Sequence, residues 1–175
     1  MVTRSGDVDP GLFAFLYRTQ GLTPDQIEKR LYSDSGLKAL AETNDMRVIE
    51  QKAAEGDEKA RLALDVYAYR VRKYIGAYAA VMNGADVLAF TGGIGEHSAT
   101  TRSLICAGLD FMGLDLDEGK NKAVVLKAYE APQIQKDSAQ TKIIVTQTRE
   151  QWMIARETEQ ILSKSHTGFK KEASG

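Results

Sequence analysis

The chain has 175 residues and a mass of 19.2 kDa, with 43% hydrophobic and 27% charged residues, a balance that fits one ordinary domain or part of a larger one and excludes wholesale disorder. Its 23 basic residues meet 24 acidic ones, so no basic excess draws it to nucleic acid or to an anionic membrane. The single cysteine, Cys106, excludes an intrachain disulfide, and no apolar run approaches the ~18 residues of a membrane span, so the expected location is cytoplasmic.

Residues 10–33 read as two short helices divided by QGLTPDQ, where Thr23 can cap and Pro24 takes the first helical position. From Asp57 to Met82 the apolar residues Leu64, Tyr67, Val71, Tyr74, Ile75, Tyr78 and Met82 recur at steps of three and four. That period predicts a long helix with one stripe in the core, and its tyrosines leave open a stacking surface for a base. NGAD breaks this helix and VLAFTG, residues 87–92, reads as a buried strand. A helix from about Ser98 to Ala107 follows, then a third strand around KAVVLKAYEA, and TKIIVTQT at 141–148 as another buried strand. REQWMIARETEQILSK, residues 149–164, predicts an amphipathic helix with Trp152, Ile154, Ala155 and Ile161 available for packing, and the polar stretch 165–175 a disordered tail. Two or three strands fall short of the five or six, roughly, of a helix-flanked sheet, so the expected class is α/β with an incomplete sheet.

LAFTGGIGEH, residues 88–97, places three glycines directly after an apolar run. A strand that ends in glycines and opens into a helix turns backbone N–H groups and a positive helix end towards a phosphate, so Gly92, Gly93 and Gly95 are candidates to cradle a nucleotide. The same GGIG also suits a tight turn that needs positive φ, and it matches neither the phosphate loop nor the dinucleotide fingerprint GxGxxG. From these residues alone both readings stay open.

Four segments in order resemble the C-terminal half of the acetate kinase family, within the sugar kinase, Hsp70 and actin superfamily of ribonuclease H-like folds. They are TRSGDVDPG at 3–11, NDMR at 44–47, FTGGIGEH at 90–97 and TREQWMIAR at 148–156. The resemblance implies that Arg4 is the catalytic cation near the acyl carboxylate and the migrating phosphoryl group, a task suited to a planar guanidinium. It implies that Asp45, Met46 and Arg47 line an adenosine pocket, with Gly93 and Ile94 by the adenine and phosphates and Gly92 and Gly95 letting the backbone approach. His97 stands where the family has asparagine, which changes the hydrogen bonds offered to the base. Glu150 matches the first residue of a Glu-Glu pair associated with Mg²⁺, and Gln151 replaces the second. Residue type alone favours Arg4 as a terminal arginine paired with Asp7 or Asp9, a preference that the motif match reverses. Likewise Asn44 or Asp45 is a helix cap, His97 a surface histidine and Glu150 a first-turn carboxylate. Cys106 reads as a core thiol and His166 as a tail residue.

What the resemblance implies as a whole is the nucleotide side of an enzyme making ADP and acetyl phosphate from ATP and acetate, with Mg²⁺, by in-line transfer. Residues 1–148 would form the nucleotide-binding domain without its first strands, and 149–164 a helix crossing onto an N-terminal domain. The family chain is more than twice as long, so the expectation is a C-terminal fragment, inactive alone, with a complementary N-terminal half or a homodimer as partner, and with neither nucleic acid nor membrane. The alternatives are a non-catalytic remnant or dimerisation module, and a kinase for propionate or another short-chain acid.

Overall fold

A computed structural model of the chain describes residues 1–172, with side chains through residue 163. Helices α1 (Gly11–Gln20) and α2 (Pro24–Tyr32) flank the expected break. Gly21, at φ 62°, ends α1, and Thr23 begins α2 with a reciprocal box in which its hydroxyl accepts from Gln26 N and Gln26 Oε1 accepts from Thr23 N. The short α3 (Gly36–Ala41) and α4 (Met46–Ala54) lead to the 25-residue α5 (Glu58–Met82), which is capped by Asp57 and closed by Asn83 in the left-handed region. Next come β1 (Val87–Phe90), α6 (Gly92–His97), α7 (Ala99–Cys106), α8 (Glu118–Lys122), β2 (Lys142–Val145) and α9 (Glu150–Glu172).

The two strands pair in parallel, Val87 opposite Lys142 and Phe90 opposite Val145, with α6, α7 and α8 in the crossover. Two hydrophobic clusters share α5 as their common wall. One, around Phe90, Ile105, Leu114, Ile134, Ile143 and Val145, surrounds the sheet and includes Ala68 of α5. The other joins Leu37, Met46 and Ile49 to Ala60, Ala63 and Leu64 of α5, whose small alanines let α4 approach closely.

The opening residues are not loose. Leu37 N donates to Met1 O, Lys38 N to Val2 O, Ser35 N to Thr3 O and Ser5 N to Leu31 O, so residues 1–5 lie as an extended segment across the start of α3. Gly36 makes this possible: its φ is +61°, and a Cβ there would come within 1.9 Å of Met1 O. Asp7 then ties the segment to α5 through Arg70, 2.5 Å away, and through the Tyr74 hydroxyl.

Several expectations need correction. KAVVLKAYEA forms no strand: Lys127 and Glu130 close a turn, Tyr129 adopts φ +70°, and β2 is met on its outer edge by residues 132–134 through the isolated antiparallel bridge of Gln133 to Ile144 and the backbone bonds Ile134 N to Ile143 O and Val145 N to Pro132 O. Only one face of β1 is buried, since Val87 and Ala89 are exposed while Phe90 is covered. The stripe on α5 is only partly core: Leu64 is buried and Tyr67, Val71 and Ile75 pack against the clusters, whereas Tyr74, Tyr78 and Met82 are exposed. The helix expected at 98–107 has a separate predecessor, α6, formed by the glycine turn itself. The last helix extends to Glu172 rather than to 164. The remainder of the expected tail, 173–175, and the side chain of His166 lie outside the described residues.

No helix among the described residues is long and apolar enough to cross a membrane. Ile143 is fully buried between strand and crossover, so Ile143→Ala should cost about 2–5 kcal/mol of stability in urea unfolding. Tyr78→Ala, at the exposed end of α5, should change it by no more than about 0.5 kcal/mol.

Candidate functional site

The beginning of α4 and the α6–α7 junction enclose a cavity of about 660 Å³, lined by Asn44, Asp45, Met46, Arg47, Glu50, Gly93, Ile94, His97 and Ser98. Two segments almost fifty positions apart thus supply one site, and six of the residues singled out in the sequence lie on its wall.

On the α4 side, Asp45 is the N-cap. Its Oδ1 accepts from Arg47 N at 3.0 Å and Arg47 Nε at 3.1 Å, and its Oδ2 accepts from Arg47 Nη2 at 2.6 Å. Bonded by the guanidinium first and the backbone second, the carboxyl is held down to about 2. The Arg47 side chain is otherwise exposed, which leaves the faces of its guanidinium open for stacking. Met46 contributes to the cavity wall but is anchored in the core, with 6% exposure.

On the other side, each glycine of GGIG has its own reason. Gly92 adopts φ +73° where the strand turns into α6. Gly95 packs on the strand end, where a Cβ would stand 3.4 Å from Phe90 C. Gly93 has no heavy atom near its missing Cβ and lies on the cavity wall. Gly92 and Gly95 do not line the cavity, and the Gly92 N–H is already engaged: it donates to Glu96 Oε1 and to Thr148 Oγ1, both at 3.0 Å. Glu96 Oε1 also accepts from Thr148 N and Oγ1 at 2.8 Å. Burial opposes the Glu96 charge, but the Thr148 and Gly92 donors outweigh it, so this carboxyl sits below its usual range. The glycine turn is thereby latched to the loop that precedes α9.

Beneath the turn lies Arg102, 2% exposed. Its Nη1 donates to Gly95 O at 2.8 Å and Glu96 O at 3.1 Å, its Nε to Asn121 Oδ1 at 2.7 Å and its Nη2 to Asn121 O at 3.0 Å. Asn121 is itself fixed through Ala99 O and Ser103 Oγ. On the cavity floor, Glu50 Oε1 accepts from the hydroxyls of Ser98 and Thr101, while Ser98 Oγ caps α7 by accepting from Thr101 N. Glu50, Glu96, Ser98, Arg102, Asn121 and Thr148 were not singled out from sequence. The usable signal for Glu50 was its place one helical turn after Met46 and Arg47, on the same face of α4.

Arg4 belongs to a different cavity, of about 560 Å³, with Phe13, Pro24, Leu31 and Tyr32 among its walls. Its partner is neither Asp7 nor Asp9: the guanidinium lies 4.1 Å over the Tyr32 ring centroid and Nη2 donates to Tyr32 Oη at 2.5 Å. Asp7 is engaged by Arg70 and Tyr74, and Asp9 accepts from Gly11 N. Glu150 is exposed at the start of α9 and lines neither cavity. Among the described residues no group of three or more acidic, histidine or cysteine side chains forms a metal cage. A lone carboxylate does fit Mg²⁺ that draws its other ligands from phosphates and water. Cys106 is buried, and burial pushes its thiol up to about 12.

Asn121→Ala strips Arg102 of a charge-assisted acceptor and should cost about 1.5–3 kcal/mol in urea unfolding. The Asp45 carboxyl is depressed from 3.8 to about 2, so its contribution to stability is fully present above pH 3.8 and disappears as pH falls through about 2. The stability difference between the wild type and Asp45→Asn should accordingly stay constant from pH 7 to about pH 5 and close below pH 3.8.

Known proteins bear on this geometry. Curated relatives include the acetate kinase of Sulfurovum sp. (strain NBC37-1), 45% identical over 94% of this chain and 41% of its own length. That of Heliobacterium modesticaldum is 45% identical over 93% of this chain and 40% of its own. Among solved structures, Porphyromonas gingivalis acetate kinase superposes with a TM-score of 0.84 at 42% identity, covering 93% of this chain and 40% of that one. A propionate kinase from Francisella tularensis does so at 0.81 and 37%, covering 90% and 39%. The fold is therefore the C-terminal part of the acetate kinase fold, and the chain spans about 40% of the length of the relatives it matches. With the acetokinase family model matched over residues 1–156, and with the glycine turn, the Asp45–Arg47 pair and Arg4 inside that span, the chain belongs to the acetokinase family.

Proposed function

We propose that this chain provides the nucleotide side of an acyl kinase in which the γ-phosphoryl group of ATP passes in line to the carboxylate of acetate, giving ADP and acetyl phosphate. One observation carries the reading: a single cavity gathers Asp45, Met46, Arg47, Gly93, Ile94 and His97 from two distant segments. Arg47 offers a flat cation for the purine ring, and the half-buried Ile94 an apolar surface.

Arg4 stands in its own cavity beside Phe13, Pro24 and Leu31. A guanidinium next to apolar walls suits a short-chain carboxylate, whose charge it would neutralise and whose phosphorylation it would assist by pairing with equatorial oxygens. Catalysis of this kind is positioning and charge stabilisation. Mg²⁺ would supply charge neutralisation between the phosphates, with Glu150 as its protein ligand. Acetate is the favoured acceptor because the closely similar curated relatives are named acetate kinases, and propionate is the second because one structural neighbour carries that name.

The 175 residues alone would bind nucleotide without turning over, the acyl side being completed by sequence that the longer relatives possess. Trp152, Met153, Ile154 and Ile161 on α9 are exposed. This face would pack on that complementary half, or on a second copy in a homodimer, in the cytoplasm. Calorimetric titration of the purified chain with ADP and Mg²⁺ should show one site, and Arg47→Ala should weaken it at least about tenfold through the lost stacking. Acetyl phosphate should form only when an N-terminal half of a relative is added. Absence of ADP binding would overturn the assignment, and turnover by the chain alone would overturn the division of labour.

A further inference from the structure

We infer that Glu50 is the residue that selects the base, its free carboxylate oxygen accepting a hydrogen bond from the exocyclic amino group at position 6 of adenine. The inference rests on the nucleotide reading of the cavity and deepens it.

The cavity wall carries two carboxylates, Asp45 and Glu50. Both oxygens of Asp45 are committed to Arg47, which supplies three donors. Glu50 differs. Its Oε1 collects the Ser98 and Thr101 hydroxyls, and its Oε2 receives no donor among the described residues. The two hydroxyls belong to residues only 7% and 2% exposed, and the Ser98 oxygen is further held by Thr101 N. With one oxygen clamped by buried groups, the carboxylate is pre-oriented and the other oxygen is left as a ready acceptor on the cavity floor.

Charge decides which part of a nucleotide meets it. An anionic floor repels phosphates, so the base rather than the phosphate chain would stand against Glu50 and Ser98, which their hydrogen bond holds together on the cavity wall. Adenine presents an amino donor there. Hypoxanthine presents a carbonyl oxygen at the same position, which would face the carboxylate without a hydrogen. Losing a hydrogen bond to a charged group corresponds to roughly tenfold to hundredfold in affinity. A purely structural Glu50, tying α4 to the start of α7, would use only Oε1 and would not discriminate between bases.

The test is calorimetric titration of the wild-type chain and of Glu50→Gln with three ligands: ADP, inosine diphosphate, and purine riboside diphosphate, which lacks any group at position 6. In Glu50→Gln the amide oxygen retains the Ser98 and Thr101 hydroxyls and the amide nitrogen becomes a donor towards the base. The wild type should bind ADP at least about tenfold tighter than inosine diphosphate, with the unsubstituted purine between them. In Glu50→Gln, with an unchanged melting temperature, that ratio should fall to about one or invert. Equal binding of ADP and inosine diphosphate by the wild type overturns the inference, and so does a variant that weakens both ligands while keeping their ratio. The wild-type ligand series decides the matter without the variant if Glu50→Gln does not fold. Failure of the wild type to bind any of the three overturns the nucleotide reading itself, a result distinct from binding without discrimination.

Discussion

A buried cation whose hydrogen-bond acceptors include no carboxylate organises this structure. Arg102 is 2% exposed, and all its acceptors are neutral oxygens: two carbonyls at the end of α6 and two oxygens of Asn121. Burying a guanidinium costs several kcal/mol unless its donors are satisfied. Here the carbonyls at the negative end of a short helix bond the guanidinium, and Glu50 adds a through-space attraction. The dependence is mutual, because a six-residue helix with three glycines has almost no stability of its own. At its other end Glu96 turns back to bond Gly92 N. The glycine turn is thus held from below by a charge and from within by its own side chain, and Gly93 and Ile94 are presented to the cavity as a rigid edge.

From this edge the geometry extends in two directions. Glu96 and Gly92 bind Thr148, which sets where the chain leaves β2 and where α9 starts. Ser98, which stands between α6 and α7, bonds Glu50 and so fixes α4 against the turn. The two cavity walls are therefore coupled through side chains, with α5 behind them as the wall common to both hydrophobic clusters. Arg4 stands apart, positioned by an extended segment that crosses α3 where only glycine fits.

Much of this was legible in the sequence. Thr23 and Pro24 mark a helix start whatever surrounds them, and VLAF and KIIV are short apolar runs that read as strands, although only one face of VLAF proves buried. The family-like motifs already point to Asp45, Met46, Arg47, Gly93, Ile94 and His97, which line one cavity. The misses share a cause. KAVVLKAYEA has strand composition, but pairing depends on what lies opposite, and residues 132–134 occupy that edge of β2. Tyr74 and Tyr78 keep the helical period although no core reaches them, and Tyr74 instead meets Asp7. Glu50 and Arg102 could not be singled out, because nothing local in the sequence shows that Ser98 or Asn121 will fold against them.

Cys106 has a consequence of another kind. It is the only thiol in the chain, it is enclosed by the sheet-side cluster, and its proton is held up to about 12. At neutral pH almost none of it is thiolate, the form that peroxide, glutathione disulfide and electrophiles attack. Oxidative stress in the surrounding medium therefore has no sulfhydryl handle on the folded protein, and alkylating reagents would mark only molecules whose interior had opened.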